Sequence, residues 1–121
     1  MDLQAIADEL MEGMKTGQEG AKLETLYAPD AVSVEALDFG QGRETKGIEG
    51  IRGKHAWWDS TFEVLEADYR GPFPNGPDRF AVYLQIKTRN KQTDAVEEMS
   101  EVALYTVADG KIVREEFFYG S

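Results

Sequence analysis

Apolar positions recur at two different spacings along the chain, and the spacing changes near Thr61. In the first half, apolar residues follow one another at steps of three and four, the spacing of one face of an α-helix. Asp2 is placed to cap the first helix and Gly17 to close it, and Pro29 stops the second. The pattern predicts helices from Leu3 to about Gly17, from Gln18 to Ala28 and from about Gly47 to Ser60, with a short strand over Val32 to Leu37 and a Gly-rich loop from Phe39 to Thr45.

From Thr61 onward apolar and polar residues alternate with a period of two, which indicates strands. Asp109-Gly110 is typical of a tight hairpin between the last two strands. Helices first and hairpin-connected strands afterwards predict one α+β domain over residues 1–121 with an antiparallel sheet. The predicted strands are Phe62–Tyr69, Arg79–Arg89, Val96–Val107 and Lys111–Tyr119, with a turn segment over Gly71–Pro77.

The last two predicted strands are apolar on both faces. Alternation along the strands predicts two apolar sets on opposite faces. One set is Ala103, Tyr105, Val107, Phe117 and Tyr119, and the other is Val102, Leu104, Ile112 and Phe118. Three short helices cover only one face of a sheet, so the other face needs a second cover. We therefore expect a homodimer formed through residues such as Tyr83, Val102, Leu104 and Phe118.

Composition excludes several classes of partner and site. With 23 Asp+Glu against 13 Lys+Arg, the net charge of −10 disfavours nucleic acid and anionic membrane surfaces. The chain has no cysteine and a single histidine, so neither a thiolate nor an all-imidazole zinc site can form. No apolar run approaches the roughly 20 residues that span a bilayer, and the first residues lack the cationic start of a signal peptide. We expect a cytoplasmic domain without metal or cofactor.

Three sequence segments resemble the SnoaL-like branch of the nuclear transport factor 2-like superfamily. They are Leu26-Tyr-Ala-Pro-Asp-Ala-Val, Thr45-Lys-Gly-Ile-Glu-Gly-Ile-Arg and Val107-Ala-Asp-Gly-Lys-Ile-Val, and their order extends the resemblance over essentially the whole chain. The resemblance implies a cone, in which three N-terminal helices pack in a strongly curved antiparallel β-sheet around a pocket. Members usually pair through the convex face. The superfamily includes ketosteroid isomerases, polyketide cyclases, epoxide hydrolases, dehydratases and non-catalytic binding proteins, so the fold alone does not assign a function.

Glu35 and His55 are the catalytic candidates that the resemblance suggests. Glu35 lies eight residues after Tyr27, the offset at which ketosteroid isomerases place their general base. In an apolar pocket, loss of water raises the pKa of a carboxyl and makes it a better proton acceptor. His55 falls on the apolar stripe of the third helix, where a neutral imidazole could hold a proton. The alternatives are a solvent-facing Glu35 at a strand end and a His55 that only fills volume.

Further residues are expected to line the pocket. Strand parity places Glu101 and Glu115 on the concave face, so at least one of three neighbouring carboxyls should be protonated or paired. The oxyanion-hole positions of the isomerases correspond here to Met11 and Ala103, which donate no side-chain hydrogen bond, so steroid isomerisation by that route is not expected. The predicted ligand-binding residues are Met11, Met14, Tyr27, Trp58, Phe80, Val82, Glu101, Tyr105, Glu115, Phe117 and Tyr119.

An acidic run on the third predicted strand could suggest calcium. It consists of Asp94, Glu97, Glu98 and Glu101, but strand periodicity and the lack of a Gly-centred loop favour a solvated strand edge. The sequence thus predicts a protein that binds a small apolar or aromatic ligand in the cone, with cofactor-free proton transfer by Glu35. The alternative is a non-catalytic ligand-binding or protein-interaction module of the same fold.

Overall fold

A computed structural model describes residues 2–38, 40 and 42–119 of the chain. The first helix, α1 (Leu3–Thr16), begins and ends as the sequence predicts. The Asp2 side chain accepts a hydrogen bond from the Ala5 backbone N–H at 2.8 Å. Gly17 ends the helix in the left-handed conformation, with φ +72°. The buried face of α1 carries Ile6, Leu10, Met11 and Met14, among others.

The second predicted helix is shorter than expected. A 3₁₀ turn over Gly20–Lys22 leads into α2 (Leu23–Leu26), and the chain then enters strand β1 (Tyr27–Val34). The predicted end at Ala28 and the predicted strand over Val32 to Leu37 are therefore wrong in their boundaries. Pro29 stands inside β1, where it is exposed to solvent.

A short strand that the sequence did not predict follows. Strand β2 (Glu44–Lys46) forms part of the predicted Gly-rich loop, and it pairs antiparallel with β1. Phe39 and Gln41 of that loop lie outside the described residues. Helix α3 (Ile48–Thr61) starts after Gly47, whose φ of +86° is a conformation that L side chains rarely adopt.

Four long strands complete the chain: β3 (Phe62–Asn75), β4 (Arg79–Asn90), β5 (Val96–Ala108) and β6 (Lys111–Phe118). β3 extends through most of the segment that we expected to be a turn. The sheet order is β2-β1-β6-β5-β4-β3. All neighbours are antiparallel except β1 and β6, so the sheet is mixed rather than purely antiparallel. The predicted α+β class is confirmed.

The core lies between the helices and one face of the sheet. Ile6 and Leu10 of α1, Leu26 of α2 and Ile51 of α3 are at most 1% exposed and pack against Phe80 and other buried residues of the sheet. Ile112 also lies in this core, although its parity predicted the opposite face. A register irregularity between Thr106 and Val107 shifts the pairing of β5 and β6, which turns Ile112 inward.

The opposite face of the sheet remains partly exposed. Val102 and Phe118, which are directly paired across β5 and β6, are 40% and 47% exposed. Tyr83 and Leu104 are half-buried on neighbouring positions. Within the described part of the chain, no helix is both long and apolar enough to cross a membrane.

Candidate functional site

Strand register brings several polar residues into one row on the helix-facing side of the sheet. Ser33 of β1 pairs with Glu115 of β6, Glu115 pairs with Tyr105 of β5, and Tyr105 pairs with Phe80 of β4. All four residues are fully or almost fully buried. The row therefore carries polar groups into an otherwise apolar interior, where each of them needs a hydrogen-bond partner.

Glu115 forms the inner end of a continuous polar network. Its carboxylate is 2% exposed and accepts hydrogen bonds from the Tyr27 hydroxyl and from Ser33 Oγ, the latter at 2.7 Å. Burial, and then the neighbouring Glu115, raise the pKa of Tyr27 well above its usual value, so this phenol stays a donor. The carboxylate is thus held by two hydroxyl groups from β1.

Lys54 connects this inner end to the outer end of the network. Its Nζ donates to Ser33 Oγ at 2.8 Å and forms an ion pair with Glu35. Tyr119 OH donates to Glu35 Oε2 at 2.9 Å. The Lys54 ammonium also lies 5.4 Å from the centre of the Phe117 ring, within cation–π range. Both partners of Glu35 favour its anionic form.

Glu101 faces this network from β5 without a hydrogen-bond or ion-pair partner among the described residues. Burial, and then the negative charges of Glu35 and Glu115, raise the pKa of Glu101 to about 7, while Lys54 opposes the shift. A carboxyl with a pKa near neutrality exchanges protons readily at physiological pH.

A second carboxyl with a raised pKa comes from the turn between α1 and α2. Burial, followed by the charges of Glu115 and Glu101, raises the pKa of Glu19 to about 8. Glu19 was not among the site residues predicted from the sequence. Glu19 and Glu101 thus both have a raised pKa, and the charge of Glu115 contributes to each shift.

His55 is half-buried beside the network and does not contact Glu35. The ion-pair partner of Glu35 is Lys54, the preceding residue on α3, and His55 makes no side-chain hydrogen bond with any described residue. Burial lowers the pKa of His55, although Glu115 and Asp59 oppose that shift. The lowered pKa favours the neutral imidazole, and the anticipated pair of Glu35 and His55 is not formed.

Six of the predicted ligand-binding residues belong to the closed core. They are at most 6% exposed and pack within the core cluster: Met11, Met14, Tyr27, Phe80, Val82 and Tyr105. The Tyr105 ring stacks on Phe80 with centroids 5.0 Å apart. The Tyr105 hydroxyl is buried and has no hydrogen-bond partner among the described residues.

Open space lies instead where α3 meets the ends of β4 and β5. A cavity of about 260 Å³ is lined by Phe62, Thr88, Asn90, Thr93, Ala95 and Glu97. A smaller one of about 60 Å³ shares three of these residues and adds Trp58 and Met99. We refer to the two together as the strand-end cavity. Trp58 is the one predicted ligand-binding residue among those that line it.

The strand-end cavity leads toward Glu101 along β5. Glu97, Met99 and Glu101 alternate on the same face of the strand, so Glu101 lies about 7 Å beyond Met99. His55 lies one helical turn before Trp58 on α3. Glu101 and His55 therefore lie beyond the end of the cavity that Trp58 and Met99 line.

The sequence analysis missed Lys54 and Ser33 as well as Glu19. Ser33 shares the parity of Tyr27, Ala31 and Glu35, so the alternation of β1 carried a signal for it. Lys54 lies beside the apolar stripe of α3, and only the folded position of Glu35 shows that the ammonium turns inward. Asp94, Glu97 and Glu98 of the acidic run are exposed, and β6 pairs with β5 only from Val102 onward, so this end of β5 is a solvated edge as predicted, with Glu97 also lining the cavity.

Comparison with known proteins places this geometry in a family. The SnoaL-like domain pattern matches residues 1–119, so the chain belongs to the SnoaL-like domain family. A protein from Mesorhizobium loti, provisionally named a SnoaL-like polyketide cyclase, is 35% identical with a TM-score of 0.90, over 98% of this chain and 100% of that one.

More distant structures share the fold alone. An NTF2-like protein from Burkholderia thailandensis is 15% identical with a TM-score of 0.84, over 99% of this chain and 92% of that one. A Bacillus subtilis protein, provisionally named an isomerase, is 14% identical with a TM-score of 0.82, over 99% and 90% of the two chains. No protein with a curated functional description matches the chain.

Proposed function

We propose that this SnoaL-like protein binds a small apolar or aromatic molecule in the cone and transfers a proton on it without a cofactor. The observation that carries the proposal is the contrast between two neighbouring carboxyls. Lys54 forms an ion pair with Glu35 and Tyr119 donates a hydrogen bond to it, whereas Glu101 has no such partner among the described residues and its pKa is raised to about 7. Neighbouring acids whose environments separate their proton affinities are typical of an acid–base pair.

Glu35 is the proposed base and Glu101 the proposed acid. In this scheme the Glu35 carboxylate accepts the proton, and Glu101, whose pKa is raised to about 7, donates one. Lys54 would hold the Glu35 carboxylate in place, which makes it a positioning residue in this scheme. The cation on Lys54 also balances the negative charge that would otherwise accumulate inside the cone.

The alternative of a non-catalytic binding module has one observation in its favour. The central core is filled by Met11, Met14, Phe80, Val82 and Tyr105, and the open space lies at the strand ends. In that alternative the strand-end cavity binds a ligand, and the carboxyls behind it stay inactive. Turnover distinguishes the two functions.

We also propose that two copies pair through the exposed sheet face that carries Val102 and Phe118. The exposure of these directly paired apolar side chains supports this arrangement. The cysteine-free composition suits a reducing compartment, so the proposal places the dimer in the cytoplasm.

The test of catalysis is deuterium exchange at the α-carbon of a panel of small aryl ketones, followed by NMR in D₂O. The wild type is expected to accelerate exchange of at least one ketone over buffer, and Glu35→Gln should reduce that rate at least about a hundredfold. Glu98→Gln, which removes the same charge from an exposed position, should leave the rate unchanged. Ligand binding without exchange would favour the non-catalytic alternative, and equal rates in Glu35→Gln would remove Glu35 as the base.

A further inference from the structure

The strand-end cavity has an aromatic wall and a polar floor. Phe62 at the start of β3 packs against Trp58 of α3, with ring centroids 5.4 Å apart. Thr88 and Glu97 are direct neighbours across β4 and β5, and both line each part of the cavity. An aromatic surface next to a carboxylate is a combination that favours a cation.

The polar groups of the floor are available to a ligand. Thr88 is 5% exposed, and its hydroxyl makes no hydrogen bond with any other described residue. Glu97 forms no ion pair within residues 2–38, 40 and 42–119. Both side chains line the cavity, so a ligand bound there can form a hydrogen bond with Thr88 and an ion pair with Glu97.

The cationic side chains around the cavity are already engaged. Arg89 forms ion pairs with Glu63 and Asp94, and Lys91 donates to the backbone carbonyl of Asp59 at 2.6 Å. Glu101 adds a further carboxyl on the same face of β5 behind Glu97. Glu97 is thus a carboxylate in the cavity without a protein counter-ion among the described residues. Its charge disfavours an anionic ligand and favours a cation.

We propose that the strand-end cavity binds a small organic cation of the alkylammonium class. The ammonium lies against Trp58 and Phe62, Glu97 is its counter-ion, and Thr88 accepts or donates a hydrogen bond where the ligand carries a polar group. This inference goes beyond the proposed function, because it assigns the strand-end cavity a cationic ligand of its own, whereas the molecule proposed for the cone is apolar or aromatic. The larger part of the cavity, of about 260 Å³, accommodates a molecule of the size of choline, and Trp58 borders the adjoining part of about 60 Å³.

The test compares choline with 3,3-dimethylbutan-1-ol, which has the same shape without the charge. Both are titrated into the full chain at constant ionic strength, and binding is followed by chemical-shift changes in the NMR spectra of the backbone amides and the tryptophan indoles. Choline is expected to shift the Trp58 indole and the Thr88 amide, with a Kd at least about tenfold lower than that of the alcohol. Equal affinity for the two probes, or no binding of choline, would overturn the proposal.

Two variants separate a local counter-ion from the overall negative charge. Glu97→Gln should weaken choline binding at least about fivefold, whereas Glu98→Gln, at the next residue with its side chain on the other face of β5, should leave it unchanged. Equal weakening in the two variants would show that only net charge attracts the probe. Glu101→Gln should still bind choline, so loss of proton exchange in that variant with choline binding intact would concern the proposed acid alone.

Discussion

Glu115 shows at the scale of one residue what the interior of this protein has to accommodate. The carboxylate lies among apolar side chains, and the hydroxyls of Tyr27 and Ser33 provide its hydrogen bonds. Removing a partner from a buried charged acceptor costs more than the net free energy of the hydrogen bond, because the acceptor stays desolvated. The stability of the core therefore depends on these donors.

Tyr27→Phe tests this dependence. It removes the donor to Glu115 and keeps the ring, so the free energy of unfolding should fall by about 1–3 kcal/mol in urea denaturation. Tyr69→Phe is the matched control, because the half-buried Tyr69 hydroxyl makes no hydrogen bond with the described residues. A loss of similar size in both variants would mean that Glu115 does not need the Tyr27 hydroxyl.

The sequence pattern predicted several residues of this site but not which of their side chains pair with one another. The spacing from Tyr27 placed Glu35 where its side chain meets Tyr119, and alternation on β6 placed Glu115 inward. The partner of Glu35 is Lys54 rather than His55, since the choice between adjacent residues on α3 depends on side-chain direction. Periodicity places a residue on a face and does not specify which charged groups pair.

At the scale of elements, the strongly periodic segments were predicted best. Helix α1 and strands β4, β5 and β6 lie within a few residues of their predicted bounds. The segment Gly71–Pro77 contains the residues of a turn, yet most of it continues β3 as an edge strand beside β4. Pairing with a neighbouring strand outweighs the preference of these residues for a turn. The same holds for β2, which forms within the predicted Gly-rich loop.

Helix α3 offers a matched pair of glycines to test its packing. A Cβ at Gly53 would meet nothing within 4 Å, whereas one at Gly50 would lie 2.8 Å from Cγ2 of Thr45 in β2. Gly53→Ala should raise the free energy of unfolding by about 1 kcal/mol, the difference in helix propensity between the two residues. Gly50→Ala should lose that gain or destabilise the fold, and an equal gain at both positions would show that α3 is not closely packed on β2.

At the scale of the whole molecule, the exposed sheet face predicts a dimer. Light scattering at micromolar concentration should give about twice the chain mass of 13.5 kDa. Val102→Lys should shift the protein to the monomer, because it places a charge among apolar side chains of the proposed interface.

Val64→Lys is the control for this experiment. Val64 is 43% exposed, close to the 40% of Val102, but lies in the edge strand β3 rather than on the proposed interface. A wild type of single chain mass would contradict the dimer, and dissociation by both variants would mean that the contact does not depend on the face around Val102.

The central claim is that burial and the neighbouring charge of Glu35 raise the pKa of Glu101 to about 7. The most direct measurement is a titration of the side-chain carboxyl of Glu101 by ¹³C NMR, assigned with Glu101→Gln. The midpoint should lie at about 7. In Glu35→Gln it should fall, because a neighbouring negative charge is removed, and in Glu98→Gln it should stay in place. A Glu101 that titrates near its ordinary value of 4.5, or that ignores the loss of the Glu35 charge, would contradict the account.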